Sequence, residues 1–154
     1  MSLSQLLRSS SIRLDLSVAS KEDLIRQMVG VLSADGLLTD AEAVTTALLD
    51  RERVMSTGIG GGVAIPHAQN PGVRELAVSF ARVGQDLPFD SLDGKPVRLV
   101  FMIVGPEERG GFIRILARIS RLLYAGDLQQ KLLEAKDPEE LVGIIRREEE
   151  KLRI

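Results

Sequence analysis

The segment Ser56-Thr57-Gly58-Ile59-Gly60-Gly61-Gly62-Val63-Ala64-Ile65-Pro66-His67 concentrates the chemistry available to this chain, because it ends on the only histidine among 154 residues. Its glycines give a pliable backbone loop, Val63 to Ile65 give a short apolar strand, and Pro66 stops that strand rigidly. The imidazole is therefore expected at the end of a buried element rather than inside it. A group mounted in that way could ligate a metal, serve a hydrolase triad, or carry a group covalently.

The first two uses fit poorly. One histidine and no cysteine leave only carboxylates to complete a zinc site, and no carboxylate cluster has ligand spacing, so no metal is expected. Ser56 and His67 lack the strand-turn-helix elbow of a serine hydrolase. The glycine run has no Gly-Lys-Ser/Thr ending, and it does not sit between a strand and a helix as a dinucleotide fingerprint does, so no nucleotide cofactor is expected either. What clustered glycines can do is turn backbone N–H groups toward an anion. The remaining use of a single imidazole is as a covalent nucleophile that carries a group.

The elements that must position it can be read from periodicity. Ile12, Leu14 and Leu16 alternate with Arg13 and Asp15, which predicts a half-buried first strand. Ser20 with Asp23 predicts a helix start, and Leu24, Ile25, Met28, Val31 and Leu32 share one face before Gly36. Thr39 with Glu42 repeats the device for a second helix to about Arg51. Leu76 to Arg82 and Val97 to Val104 read as strands, the latter apolar enough to be covered on both faces. Leu87 to Asp90 and Asp93 to Pro96 are turn chemistry. Phe112, Ile115, Leu116, Ile119, Leu122 and Leu123 form the apolar side of a helix ended near Gly126. Asp127 is expected to cap a short helix, and Asp137-Pro138-Glu139-Glu140 to start a last one. This order predicts one α/β or α+β domain, residues 1–154, with helices packed on a sheet.

Composition narrows the partners. At this length, with 44% hydrophobic residues, one core can bury roughly two-thirds or more of the unfolded surface. A net charge of −2, with both signs spread along the chain, argues against nucleic acid or an anionic membrane as the main partner. The longest apolar stretch is too short to span a bilayer, the N-terminus lacks a signal-peptide pattern, and the absence of cysteine suits a reducing compartment, so a cytoplasmic location is expected.

Glu52, Ile59, Gly60, Val63, Ala64, Ile65, Pro66, His67 and Ala68 match a known active-site pattern. It runs acidic or amide residue, six of any kind, aliphatic, small, two of any kind, then aliphatic-Ala-aliphatic-Pro-His-small. With Arg51, Pro88-Phe89-Asp90, Asp93 to Val97 and Phe101 to Pro106, the chain resembles the fructose/mannitol/nitrogen class of phosphotransferase-system IIA domains over essentially its whole length. The resemblance implies a mixed sheet of about five strands with helices on both faces. It also implies that His67 accepts phosphoryl from the phosphocarrier HPr or a paralogue and donates it onward. Arg51 aligns with the family's active-site arginine, so it is expected to stabilise phosphoryl charge. The backbone of Gly58 and Gly60 and the hydroxyls of Ser56 and Thr57 are expected to donate to the same group. From the residues alone, Arg51 also reads as a solvated arginine at a helix end, and Thr57 as a loop cap.

One position departs from the family. Where many members carry a second histidine beside the phosphorylated one, this chain has Phe112 in the stretch Gly110-Gly111-Phe112-Ile113. Arg114, Arg118 and Arg121 share a face of the same helix, read as solvated, with contact to an acidic partner as the other reading. Without cysteine the chain holds no IIB domain of the cysteine-phosphorylated kind, so a IIB protein or a regulated target is expected as a separate chain. Three roles follow: a regulatory carrier of the nitrogen-related branch, a sugar-uptake IIA component, or a protein-binding domain that has lost transfer.

Overall fold

Strand periodicity in the middle of the chain organises the molecule. In the computed structural model, which describes residues 2–107, 110–124 and 126–154, β6 (Val97–Gly105) is buried almost throughout and lies at the centre of a six-stranded sheet. It pairs antiparallel with β5 (Ala77–Leu87) on one side. On the other side it pairs parallel with β3 (Val63–Ala64) and, further along, with β4 (His67–Gln69). The edges are β1 (Ile12–Leu16), parallel to β5, and β2 (Gly58–Gly60), antiparallel to β3. The expected mixed sheet is therefore present, with six strands.

Alternation along β6 divides the core in two. Leu99, Phe101 and Ile103 point into one cluster, while Val100, Met102 and Val104 point into the other, as the two-residue repeat of a strand requires. The first cluster is closed by α1 (Leu3–Leu6), α4 (Gly110–Leu123), α5 (Leu128–Glu134) and α6 (Pro138–Leu152). The second is closed by α2 (Lys21–Ala34) and α3 (Ala41–Val54). Helices thus cover both faces. Phe80 and Phe101 meet edge-on within the first cluster, ring centroids 4.9 Å apart, a geometry that suits aromatic quadrupoles.

Caps confirm some helix starts and move others. Ser20 accepts from the Asp23 N–H and Asp137 from the Glu140 N–H. For α3 the capping side chain is Asp40, not Thr39. Leu38 still bridges Val73, and the Thr39 N–H donates to the Gly72 carbonyl, so the chain is free to turn only at the next residue. That helix also runs past Arg51 to Val54. Asp127 makes no side-chain cap; its carboxylate sits 3.5 Å from Lys131 instead. Strand β5 extends to Leu87, through an irregular stretch after Arg82.

Several short elements lie outside the sequence expectations. The N-terminal α1 is closed by a capping box between Ser2 and Gln5 and buries Leu3. The glycine run is a hairpin: β2, a turn at Gly61-Gly62, then β3. The strand expected to stop at Pro66 is interrupted there and resumes as β4, because the Pro66 carbonyl still accepts the Ile103 N–H at 3.0 Å. Among the described residues, no helix is long and apolar enough to cross a membrane.

Candidate active site

The kink at Ile65-Pro66 fixes His67. Both preceding residues are buried whereas His67 is half-buried, so the ring emerges from the core at the start of β4. Its Nδ1 lies 2.7 Å from the Ile65 carbonyl oxygen. A carbonyl only accepts, so in the neutral ring the proton sits on Nδ1 and the lone pair is on Nε2. That is the nucleophilic tautomer with a defined free nitrogen.

Phe112, in the first turn of α4, lies beside this ring with centroids 6.0 Å apart and planes at 51°. The phenyl is 5% exposed, and it offers the imidazole an apolar wall with no donor. The structure thus brings Phe112 and His67 together.

The C-terminal turn of α3 and the segment after it are tied to the strand that carries His67. Glu52 is the anchor, with its carboxylate 4% exposed. It accepts the Thr57 N–H at 2.8 Å, the Thr57 hydroxyl at 2.7 Å and the Lys21 ammonium at 3.0 Å. Thr57 in turn receives the Ile65 N–H on its carbonyl at 3.0 Å, which ties this segment to the strand that presents His67. Ser56 donates its hydroxyl to the Phe89 carbonyl at 2.6 Å and accepts the Gly58 N–H at 3.1 Å. Both hydroxyl hydrogens expected to meet a phosphoryl group are therefore engaged by protein acceptors. Arg51 donates from Nη1 to the Met55 carbonyl at 2.8 Å, closing the end of its own helix.

The glycine turn sits elsewhere, while Gly58 stays in this segment with its N–H engaged by Ser56. Gly60 pairs with Val63, and Val63 with Leu99, whereas His67 pairs with Ile103. Four residues of strand separate the two ends, about 13 Å at a strand's usual rise. Gly60 is thus not brought to the imidazole. The Gly61 N–H donates to the Asp93 carboxylate at 2.9 Å, and the Lys95 N–H reaches its other oxygen at 3.0 Å. These two hydrogen bonds, the Gly61 one foremost, hold the Asp93 pKa below the ordinary carboxylate value. The anion that the glycine turn attracts is internal.

Two further placements matter. Arg118 is half-buried, its guanidinium 3.2 Å from the Glu149 carboxylate, so it is an internal ion pair, while Arg114 and Arg121 are exposed. Among the described residues no group of His, Asp and Glu could hold a metal ion. The sequence reading gave Glu52 a place in the pattern but no task, and passed over Lys21. A lysine in a first helical turn otherwise filled by Glu22 and Asp23 was the available signal.

Comparison with known proteins places this geometry. The chain is 39% identical over 146 residues to the fructose-specific EIIABC component of the PTS system of Bacillus subtilis, spanning 94% of this chain but only 23% of that protein. It is 34% identical to the nitrogen regulatory protein of Bradyrhizobium diazoefficiens, over 94% of this chain and 95% of the relative. The crystal structure of nitrogen regulatory protein IIA-Ntr from Neisseria meningitidis superposes with a TM-score of 0.86 at 32% identity, covering 93% and 98% of the two chains. The family model for the phosphoenolpyruvate-dependent sugar phosphotransferase system, EIIA 2, matches residues 5–148, and the chain belongs to that family.

Proposed function

We propose that this protein is a phosphohistidine carrier, with His67 taking phosphoryl from HPr or a paralogue and passing it to a partner protein. The observation that carries the reading is the half-buried imidazole whose Nδ1–H is held on the Ile65 carbonyl, leaving the lone pair on Nε2. In the transfer, the Nε2 lone pair attacks phosphorus in line. The new N–P bond forms as the bond to the donor group breaks, and the donor leaves with its electron pair. No proton moves on Nε2. The ring becomes cationic in character, and the Ile65 carbonyl facing Nδ1–H stabilises that charge. Onward transfer reverses these steps toward the acceptor. Catalysis of this kind is alignment and charge stabilisation, and Arg51 supplies the latter by turning from Met55 to the phosphoryl oxygens.

Phe112 favours the nitrogen-related regulatory role, acting in the cytoplasm. Beside the imidazole it offers no donor to speed exchange but excludes water that would hydrolyse the N–P bond. Slow exchange and a long-lived phosphorylated form suit a regulator. The 39% identity to a fructose-specific component favours a second reading, delivery to a separate IIB protein of the fructose or mannitol type.

Incubation with phosphorylated HPr tests the proposal. Intact-mass measurement should show one phosphoryl group on the wild-type protein, stable in base and lost in acid, and none on His67→Ala. Equal mass gain in His67→Ala would refute it, and no gain by the wild type would leave a binding domain. Adding candidate IIB proteins then separates the two carrier roles.

A further inference from the structure

Lys21 occupies the first position of α2, just inside the Ser20 cap. A cation there opposes the positive end of the helix dipole, so its placement needs a local cause. Its Nζ lies 3.0 Å from Glu52, 4.4 Å from the Phe89 ring centroid and 4.0 Å from Asp90. The Asp90 carboxylate is 93% exposed and that of Glu52 only 4%. Glu52, closer and shielded from solvent, is therefore the partner that matters energetically.

A buried carboxylate deprived of its cation loses its compensating partner and rearranges. The oxygen of Glu52 that meets Lys21 is the one that accepts the Thr57 N–H, and its other oxygen accepts the Thr57 hydroxyl, so a shift of the carboxylate moves Thr57 with it. From Thr57 the connection continues: its carbonyl holds the Ile65 N–H, and the Ile65 carbonyl holds Nδ1 of His67. The ring under the same ammonium belongs to Phe89, whose carbonyl accepts the Ser56 hydroxyl. Both residues before Gly58 thus hang on groups that touch Lys21.

We infer that Lys21 is a positioning residue for the chemistry of His67. By holding the Glu52 carboxylate in place it fixes Thr57, and through Thr57 the Ile65 carbonyl that selects the Nδ1–H tautomer. The effect on transfer rests on the phosphocarrier reading, whereas the effect on the tautomer exists in the unphosphorylated protein.

The test is Lys21→Met in the full chain with ¹⁵N-labelled histidine, read by the imidazole nitrogen shifts under mildly alkaline conditions and by the rate of phosphoryl uptake from phosphorylated HPr. The expected result is a shift from the Nδ1–H form toward a mixture, with uptake about tenfold slower because the nucleophile is less well aligned. Lys21→Arg should restore both. If Lys21→Met does not fold, Thr57→Val, which keeps the backbone N–H bond to Glu52 and removes the hydroxyl, should give a smaller shift of the same sign. An unchanged tautomer in the folded variant overturns the assignment, even if uptake slows. Should the wild-type protein take no phosphoryl at all, the carrier reading fails, and the nitrogen shifts alone decide whether Lys21 positions His67.

Discussion

The two ends of the hairpin strand β3 were written with different chemistry and do different work. At the end nearer Leu99 the backbone turns through Gly60, Gly61 and Gly62, all at positive φ (97°, 66° and 83°), a region open to glycine at little steric cost. Its amide faces Asp93, an anion of the protein itself. Toward Ile103 the chain has no glycine, kinks at a proline, and presents a half-buried imidazole with Nδ1 held by the Ile65 carbonyl and the lone pair on Nε2. The glycine-rich end closes a turn, and the glycine-poor end carries the reactive atom. A run of glycines near a reactive residue is thus not by itself an anion site; the register decides which amides are within reach.

If the comparison holds, variants near His67 change transfer and spare stability, while variants at the turn do the reverse. The largest effect is expected from Arg51→Ala. In the free protein its guanidinium only closes a helix end at Met55, a contact worth less than about 1 kcal/mol. Aimed at developing phosphoryl charge it is worth about 10²–10³ in rate. Stopped-flow uptake from phosphorylated HPr, set beside a thermal melt, reads both quantities. An unchanged rate would assign Arg51 to the helix end alone.

A smaller effect is expected at Phe112. Phe112→His puts a donor beside the nucleophile at a position that is buried in the wild type, so uptake should quicken by about tenfold or more, toward the value of an aimed hydrogen bond. The phosphorylated form should decay faster as water gains a polar foothold. Rate and lifetime measured together sharpen the comparison, because faster uptake with an unchanged lifetime would mean that the phenyl withholds a donor without shielding the N–P bond.

How far the sequence revealed this division follows from which signals are local. The central strand was legible because Val97 to Val104 is apolar on both faces, and the starts of α2 and α6 because Ser20 and Asp137 cap three residues ahead. His67 and its neighbours were legible as a pattern. The tasks of Ser56, Thr57 and Gly60 were not: the Thr57–Glu52 and Gly60–Val63 pairs are local but depend on where α3 ends and on the hairpin register, while Phe89, the partner of Ser56, is set by tertiary packing. The displaced cap of α3 has the same origin, since the Leu38–Val73 bridge and the bond to Gly72 are made by residues more than thirty positions along the chain. Lys21 is nearly as far from Glu52 in sequence, and only an unfavourable dipole position marked it.

The smallest effect belongs to the turn end. Hydrogen bonds from Gly61 and then Lys95, with the Lys95 charge, lower the pKa of Asp93 below its unfolded value, so the native state binds the proton less readily than the unfolded chain does. The stability this contributes is fully present above the unfolded pKa, near pH 4, and is lost as the pH falls through the depressed native value. Asp93→Asn removes the charge while keeping an oxygen that can accept from Gly61. The variant should therefore melt slightly below the wild type at neutral pH, with the gap closing as the solution is acidified past about pH 4. Phosphoryl uptake at neutral pH should be the same in both, because the carboxylate faces the turn about 13 Å of strand away from His67. A gap in melting temperature that stays constant into acid would mean that the hydrogen bonds and not the charge hold the turn. A slower uptake in Asp93→Asn would break the comparison itself, since it would show that the order of the glycine turn is felt along β3 at the imidazole.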